Sequence, residues 1–334
     1  MLQWLGRKKR VEGLVGLSVN DTRVSMAHVI RRGDDVVLEQ CVRHVFEGAE
    51  PLAVQLETLI ESLGLTGADC NLVLSPKDYN IYLVEAPQVE PQEVAAAVRW
   101  KIKDLLDMPV EEAILDVFPL PDDAASRGRG KMIYVAVASR QTIERYIQLL
   151  DNSGLRLQFI DVPEMVMRNI TTRFVDDRNG LAFIALKESG SIMNITRAGQ
   201  LYLTRKINTA IGPDVMMESD WEMIRDRLAL EIQRSLDYFE SQMGQNPVSQ
   251  LMIAPRAKDT ESMMNSLGEA LASPVGMLDF TNDLESAESL TAELKGSCMI
   301  AIGAALRTPD NSQRPVSQGS ITHQSQDGKQ REIA

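Results

Sequence analysis

Leu14-Val15-Gly16-Leu17-Ser18-Val19, then the polar turn Asn20-Asp21-Thr22, then a second apolar run from Arg23 to Arg31, is the stretch from which the rest of this chain is read. Gly33 closes the second run, and a third covers 36–45. Short runs of β-branched and long apolar residues bounded by turn formers are the signature of antiparallel strands. The pattern returns in the second half: a run at 181–186, a turn at 187–190, a run at 191–197, the turn Ala198-Gly199, and a run at 200–207. Each meander is followed by an amphipathic helix and a short buried strand, at 71–74 and 250–253. The expected fold class is therefore α/β, with two β-β-β-α-β halves.

A chain of 334 residues has room for two cores. Its 44% hydrophobic and 25% charged content is that of an ordinary globular protein. A net charge of -12 argues against a nonspecific nucleic-acid binder, which needs a basic surface, and 5% aromatic residues argue against a base-stacking platform. Cys41, Cys70 and Cys298 sit singly in apolar runs without metal-ligand spacing, so buried free thiols in a reducing compartment are expected. No apolar run approaches the roughly 20 residues of a membrane helix, and no long apolar stretch follows the basic start, so no signal peptide is expected. The start itself pairs an apolar tip, Met1-Leu2-Gln3-Trp4-Leu5, with Arg7-Lys8-Lys9-Arg10. Such a segment suits either a solvated tail or weak attachment to an anionic membrane surface, where each cation contributes roughly 1 kcal/mol.

After the first meander, a helix from Glu50 carries Leu52, Leu56, Leu59 and Leu63 on one stripe and ends at Gly64. A strand at 80–85 follows, and Pro87 with Pro91 marks a boundary. Residues 87–160 look inserted. They comprise a helix with Val94, Val98, Ile102 and Leu105 on one stripe, a hairpin of 113–120 with 131–138, a helix at 141–153 and a strand at 155–160. The expected organisation is a basic segment at 1–10, a first domain at 11–86 with 161–180, the insertion at 87–160, a second domain at 181–307 and a polar, disordered tail at 308–334. In the second domain, 220–243 repeats apolar residues at helical spacing, 260–272 is a further helix, and 297–306 reads as a tightly packed final helix.

Catalytic constellations are missing. His28 and His44 lie in strands and His323 in the tail, leaving no cluster for a histidine base or a metal. Asp34-Asp35 and Asp176-Asp177 sit beside turn signals, and neither a phosphate-binding G-x-x-x-x-G-K-[ST] loop nor a G-x-S-x-G elbow occurs. No catalytic residue is assigned.

The segments Val15-Gly16-Leu17, Ser235-Leu236-Asp237-Tyr238-Phe239 and Ala301-Ile302-Gly303-Ala304-Ala305-Leu306-Arg307 resemble the PilM proteins of type IV pilus assembly, which are related to the cell-division protein FtsA. Arg99-Trp100-Lys101, Pro109-Val110-Glu111-Glu112 and Asp116 add to the likeness, which covers residues 1–307. The resemblance implies an actin-like fold with a small inserted α/β subdomain. It also implies a cytoplasmic scaffold, peripheral to the inner membrane, that binds the cytoplasmic tail of a PilN-like membrane protein and other pilus assembly proteins. The groove for that tail would lie between the first domain and the insertion, along 80–85 and 94–105, with Arg99 and Lys103 presenting cations to the partner. In actin-like ATPases each meander turn holds phosphate, with an Asp and a Gly. Those positions carry Ser18 and Asn20 in the first turn, and Ala185 and Lys187 in the second, where Glu188 and Gly190 are near. The adenosine loop reads Ala254-Pro255-Arg256, and only Gly303 fits. The expectation is a degenerate cleft without magnesium-dependent hydrolysis, no metal and no cofactor. The alternative is an active ATP-binding ATPase of the pilus or type II secretion machinery, using Glu188 or Lys187.

Overall fold

The computed structural model describes residues 11–33, 35–124, 130–188, 190–280, 284–287 and 289–307, and the backbone of 323–324 and 330–331. The basic segment at 1–10, Asp34, Arg127, Arg129 and most of the tail from 308 lie outside the described residues.

The first meander is β1 (Leu14–Val19), β2 (Arg23–Arg32) and β3 (Asp35–Val45), followed by α1 (Leu52–Ser62) and β4 (Asp69–Val73). β1 pairs antiparallel with β2 and parallel with β4, so it is central and covered on both faces. Val15, Leu17 and Val19 point into a core built with α1. Gly16, Ala27 and Asn71, which are register partners, point to the other face.

The insertion is a three-stranded antiparallel sheet in the order β5-β7-β6, made of β5 (Tyr79–Glu85), β6 (Ala113–Pro119) and β7 (Met132–Ser139). Helix α2 (Val94–Ile102) buries Ala95, Val98 and Ile102 against one face. The expected boundaries at 87 and 160 are corrected at both ends. β5 belongs to the inserted sheet. The chain after β7, helix α3 (Arg140–Asn152) and strand β8 (Arg156–Asp161), belongs to the first domain, because α3 joins the core of α1 and β8 pairs parallel with β4. Leu105 also leaves the expected stripe. α2 ends at Ile102, a 3-10 turn changes the periodicity, and the Leu105 side chain is 52% exposed.

After α4 (Pro163–Phe174) the second half repeats the plan with β9 (Leu181–Ala185), β10 (Ser191–Arg197), β11 (Gln200–Ile207), α5 (Trp221–Ser241), β12 (Gln250–Ile253), α6 (Thr260–Leu271) and β13 (Gly276–Met277). Its sheet order, β11-β10-β9-β12-β13, matches β3-β2-β1-β4-β8 in the first sheet. The repeat is thus longer than the sequence suggested, each half adding a helix and a fifth parallel strand. A two-residue strand, β14 (Glu285–Ser286), crosses back to pair with β3, and α7 (Ala292–Ala305) ends the described core.

The terminal helices are exchanged. α7 lies on β1 to β4 of the first sheet, whereas α4 lies on β10 and β11 of the second. From Cys298 onward α7 is apolar all round, as a helix segment enclosed on every side must be, while its first turns, with Glu293 and Lys295, reach the surface. Thr291 caps it by accepting from Leu294 N at 3.2 Å, which is why it begins five residues before the expected start. Cys70 and Cys298 are buried, and Cys41 is partly so; the structure brings Cys41 and Cys298 side by side between β3 and α7, which their separation in sequence did not show.

Candidate functional site

The meander turns β1–β2 and β9–β10 lie close enough for Arg23, at the end of the first, to act electrostatically on Lys187 in the second. In the first, Asn20 Oδ1 accepts from the backbone N–H groups of Thr22 and Arg23 and from Thr22 Oγ1, each at 3.0 Å. This is an Asx-type closure, and it consumes inside the turn two donors that would otherwise face a ligand. Ser18 sits beside Ser25 and Val73 in the ladder, and its hydroxyl cannot replace a carboxylate.

In the second turn, Ala185 is buried at the end of β9. Lys187 N donates to Ser191 Oγ at 3.1 Å, and its carbonyl accepts from Ile211 N at 3.2 Å. Burial of its ammonium, with Arg23 nearby, holds the Lys187 pKa below the usual lysine value. Glu188 is exposed at the turn, and Gly190 takes φ +114°, which only glycine adopts readily.

Sequence reasoning located the Ala254-Pro255-Arg256 loop but not what fills it. Arg256 is buried, and its Nη2 donates to Gly212 O at 2.8 Å, while Gly296 of α7 lies against the same loop. Gly303 has a packing role: a Cβ there would meet Val166 and Ile170 at 2.6–2.7 Å, so it lets α4 and α7 cross.

A different arrangement joins the first domain to the insertion. β8 ends the first sheet and β6 ends the inserted sheet, so each has one edge without a strand partner among the described residues. On β6, Ala113 O accepts from Arg99 Nη1 at 2.9 Å and Val117 N donates to Asp116 Oδ1 at 2.8 Å. Arg307, just past α7, pairs with Asp161 of β8 at 2.6 Å and stacks over Phe159 at 3.9 Å. Asp116 lies within electrostatic reach of both Arg307 and Asp161, and desolvation raises its pKa although its side chain touches solvent.

The two expected contact cations differ in their surroundings. Arg99 does not project to solvent; it donates to Val110 O at 2.7 Å as well as to Ala113 O, tying α2 to the start of β6. Lys101 is likewise bound, to Glu85 O at 2.7 Å, whereas Lys103 is exposed.

No protein-family model matches this sequence, and no curated protein matches it. Among solved structures, the chain is similar to the PilM-PilN type IV pilus biogenesis complex, with a TM-score of 0.70 and 18% identity over 89% of this chain and 98% of that one. The fold is actin-like. Weaker likenesses are to the cytoplasmic domain of EpsL, an inner-membrane component of the type II secretion system of Vibrio cholerae (TM-score 0.47, 10% identity, 92% and 99% covered) and to a Bacteroides thetaiotaomicron protein with an actin-like ATPase fold (TM-score 0.47, 11% identity, 80% and 91% covered). Among the described residues no helix is long and apolar enough to cross a membrane.

Proposed function

We propose that this chain is a scaffold of type IV pilus assembly, peripheral to the cytoplasmic face of the inner membrane, that captures a short extended tail of a PilN-like membrane protein. Within the PilM-like proteins, the subtype we favour is the MshI-like protein of the mannose-sensitive haemagglutinin (MSHA) pilus. The observation that carries the reading is the pair of unpartnered strand edges, β6 and β8, on either side of Arg307. An edge with free main-chain groups adds an extended peptide as a further strand, and nearby side chains select its sequence.

The cleft residues do not fit magnesium-bound ATP. Asn20 already holds the first turn's donors, Lys187 and Ala185 supply no carboxylate, and Arg256 fills the loop where a base would lie. The function proposed is therefore protein binding, not hydrolysis.

The test is fluorescence anisotropy with labelled synthetic amino-terminal tails of PilN-like proteins. Micromolar affinity is expected, lost when alternate peptide nitrogens are methylated and weakened by Asp116→Lys. Absence of binding to any such tail would sink the adapter reading.

A further inference from the structure

The outer surface of the insertion carries large apolar groups that no described residue covers. Trp100 is 63% exposed, Leu105 52% and Val89 40%. Trp100 lies near the end of α2, and Leu105 in the turn that follows, where its carbonyl accepts from Tyr82 Oη at 3.1 Å. Large exposed aromatic and aliphatic groups this close along the chain mark a candidate interaction surface.

The charge around them chooses the partner. From Glu85 to Glu112 the sequence holds seven carboxylates (Glu85, Glu90, Glu93, Asp104, Asp107, Glu111 and Glu112) against three cations. All seven are exposed. Two of the cations are spent on carbonyls, Arg99 on Val110 and Ala113 and Lys101 on Glu85, which leaves Lys103. Arg99 also draws the turn bearing Glu111 and Glu112 against α2. The surface is thus apolar anchors in an acidic field, suited to a ligand with apolar anchors and a basic flank.

Within this chain, one segment has that chemistry: Met1-Leu2-Gln3-Trp4-Leu5 followed by Arg7-Lys8-Lys9-Arg10. We propose that the acidic Trp100/Leu105 surface of one molecule binds residues 1–10 of a second copy. A second copy is favoured over the chain's own surface because β1 and β4 are parallel, Leu14 opposite Asp69. The chain therefore enters at one end of the central sheet and leaves for the insertion from the other. Such a contact joins unlike surfaces, so it propagates head to tail and leaves a free docking surface on the last molecule.

The experiment titrates a fluorescein-labelled peptide of residues 1–10 with the full chain. A second arm floats the chain on vesicles containing phosphatidylglycerol, the competing anionic ligand for the same basic segment. Saturable peptide binding is expected, weakened at least tenfold by Trp100→Ser with Leu105→Ser and weakened again in raised salt, while vesicle binding is unchanged in that variant. Circular dichroism and thermal unfolding verify that the variant folds, and Asp104→Lys with Glu111→Lys, which leaves the apolar groups in place, should weaken the peptide similarly. No peptide binding, binding indifferent to both variants, or loss of vesicle binding in the Trp100/Leu105 variant with peptide binding intact would each overturn the proposal.

Discussion

Gly16 lies directly beneath Ala301: a Cβ on Gly16 would stand 1.9 Å from the Ala301 carbonyl oxygen and 2.6 Å from Ala305 N. Both obstacles are helix backbone, so relief requires moving α7 off β1, where it also receives Asn71 Nδ2 at Ala304 O, 3.0 Å. Gly16→Ala should therefore destabilise the chain by about 3 kcal/mol or more, the upper range for overpacking. Gly212→Ala, with nothing within 4 Å, is the control and should be close to neutral. Urea unfolding of both variants checks the contrast.

Arg99 and Lys103 are four residues apart and have unlike fates. Arg99→Met removes two bonds from one guanidinium nitrogen and leaves the carbonyls of Val110 and Ala113 short of a donor, at a cost of about 1–3 kcal/mol. Lys103→Glu, at an exposed position, should stay within about 0.5 kcal/mol of the parent. Thermal unfolding separates the two. Any loss of tail-peptide affinity in the Arg99 variant must then be judged against its loss of structure, whereas Lys103→Glu reports on the surface alone.

How far the sequence could be read follows from where the information lies. The meanders were legible because alternation and turn formers are local, and β1, β10 and β11 lie at their expected bounds. Two features were not. β8 was assigned to the insertion because it follows it in the chain, and only its parallel pairing with β4, some 85 residues earlier, places it in the first sheet. The matching element order of the second half, where α6 and β13 follow β12, was the available signal. α4 went unread because Pro163 obscured its start, although proline at the first helical turn favours a helix there. The two meander turns lie between the expected strands, at 20–22 and 186–190. The side chains that close them, Asn20 on its own turn and Arg256 on Gly212, depend on rotamers and long-range approach that no spacing encodes.

Tyr79, Glu164 and Asn194 give the junction of insertion, α4 and second sheet a pH dependence. Tyr79 Oη donates to Glu164 Oε2 at 2.7 Å, and Asn194 Nδ2 donates to Glu164 O at 2.7 Å. Burial raises the Glu164 pKa above its ordinary value, opposed by the Tyr79 bond and by Lys206. A carboxyl with a raised folded pKa binds more protons folded than unfolded, so its contribution to stability falls as pH rises from the unfolded value toward the folded one. Glu164→Gln removes that titration. The stability of the parent relative to this variant should therefore increase as pH is lowered from 7.5 to 5, measured by urea midpoints across that range. A difference independent of pH would show that Glu164 carries no titration in this window.

The cleft gives the last prediction. Binding a triphosphate with magnesium requires donors aimed outward and carboxylates to hold the metal's water shell. Here Asn20 Oδ1 has bonded the N–H groups of Thr22 and Arg23, and the second turn presents Lys187, whose lowered pKa records burial beside another cation. Arg256 is packed against Gly212, so a base would have to displace a buried guanidinium. Release of phosphate from ATP should be indistinguishable from the uncatalysed background, and calorimetry with Mg-ATP at millimolar concentration should show no saturable heat. Restoring the acidic positions with Ser18→Asp and Ala185→Asp should not rescue binding, because the consumed donors and Arg256 remain. Micromolar Mg-ATP affinity in the parent that disappears with Glu188→Ala would instead mean that the second turn rearranges to build a working site, and the ATPase reading would replace this one.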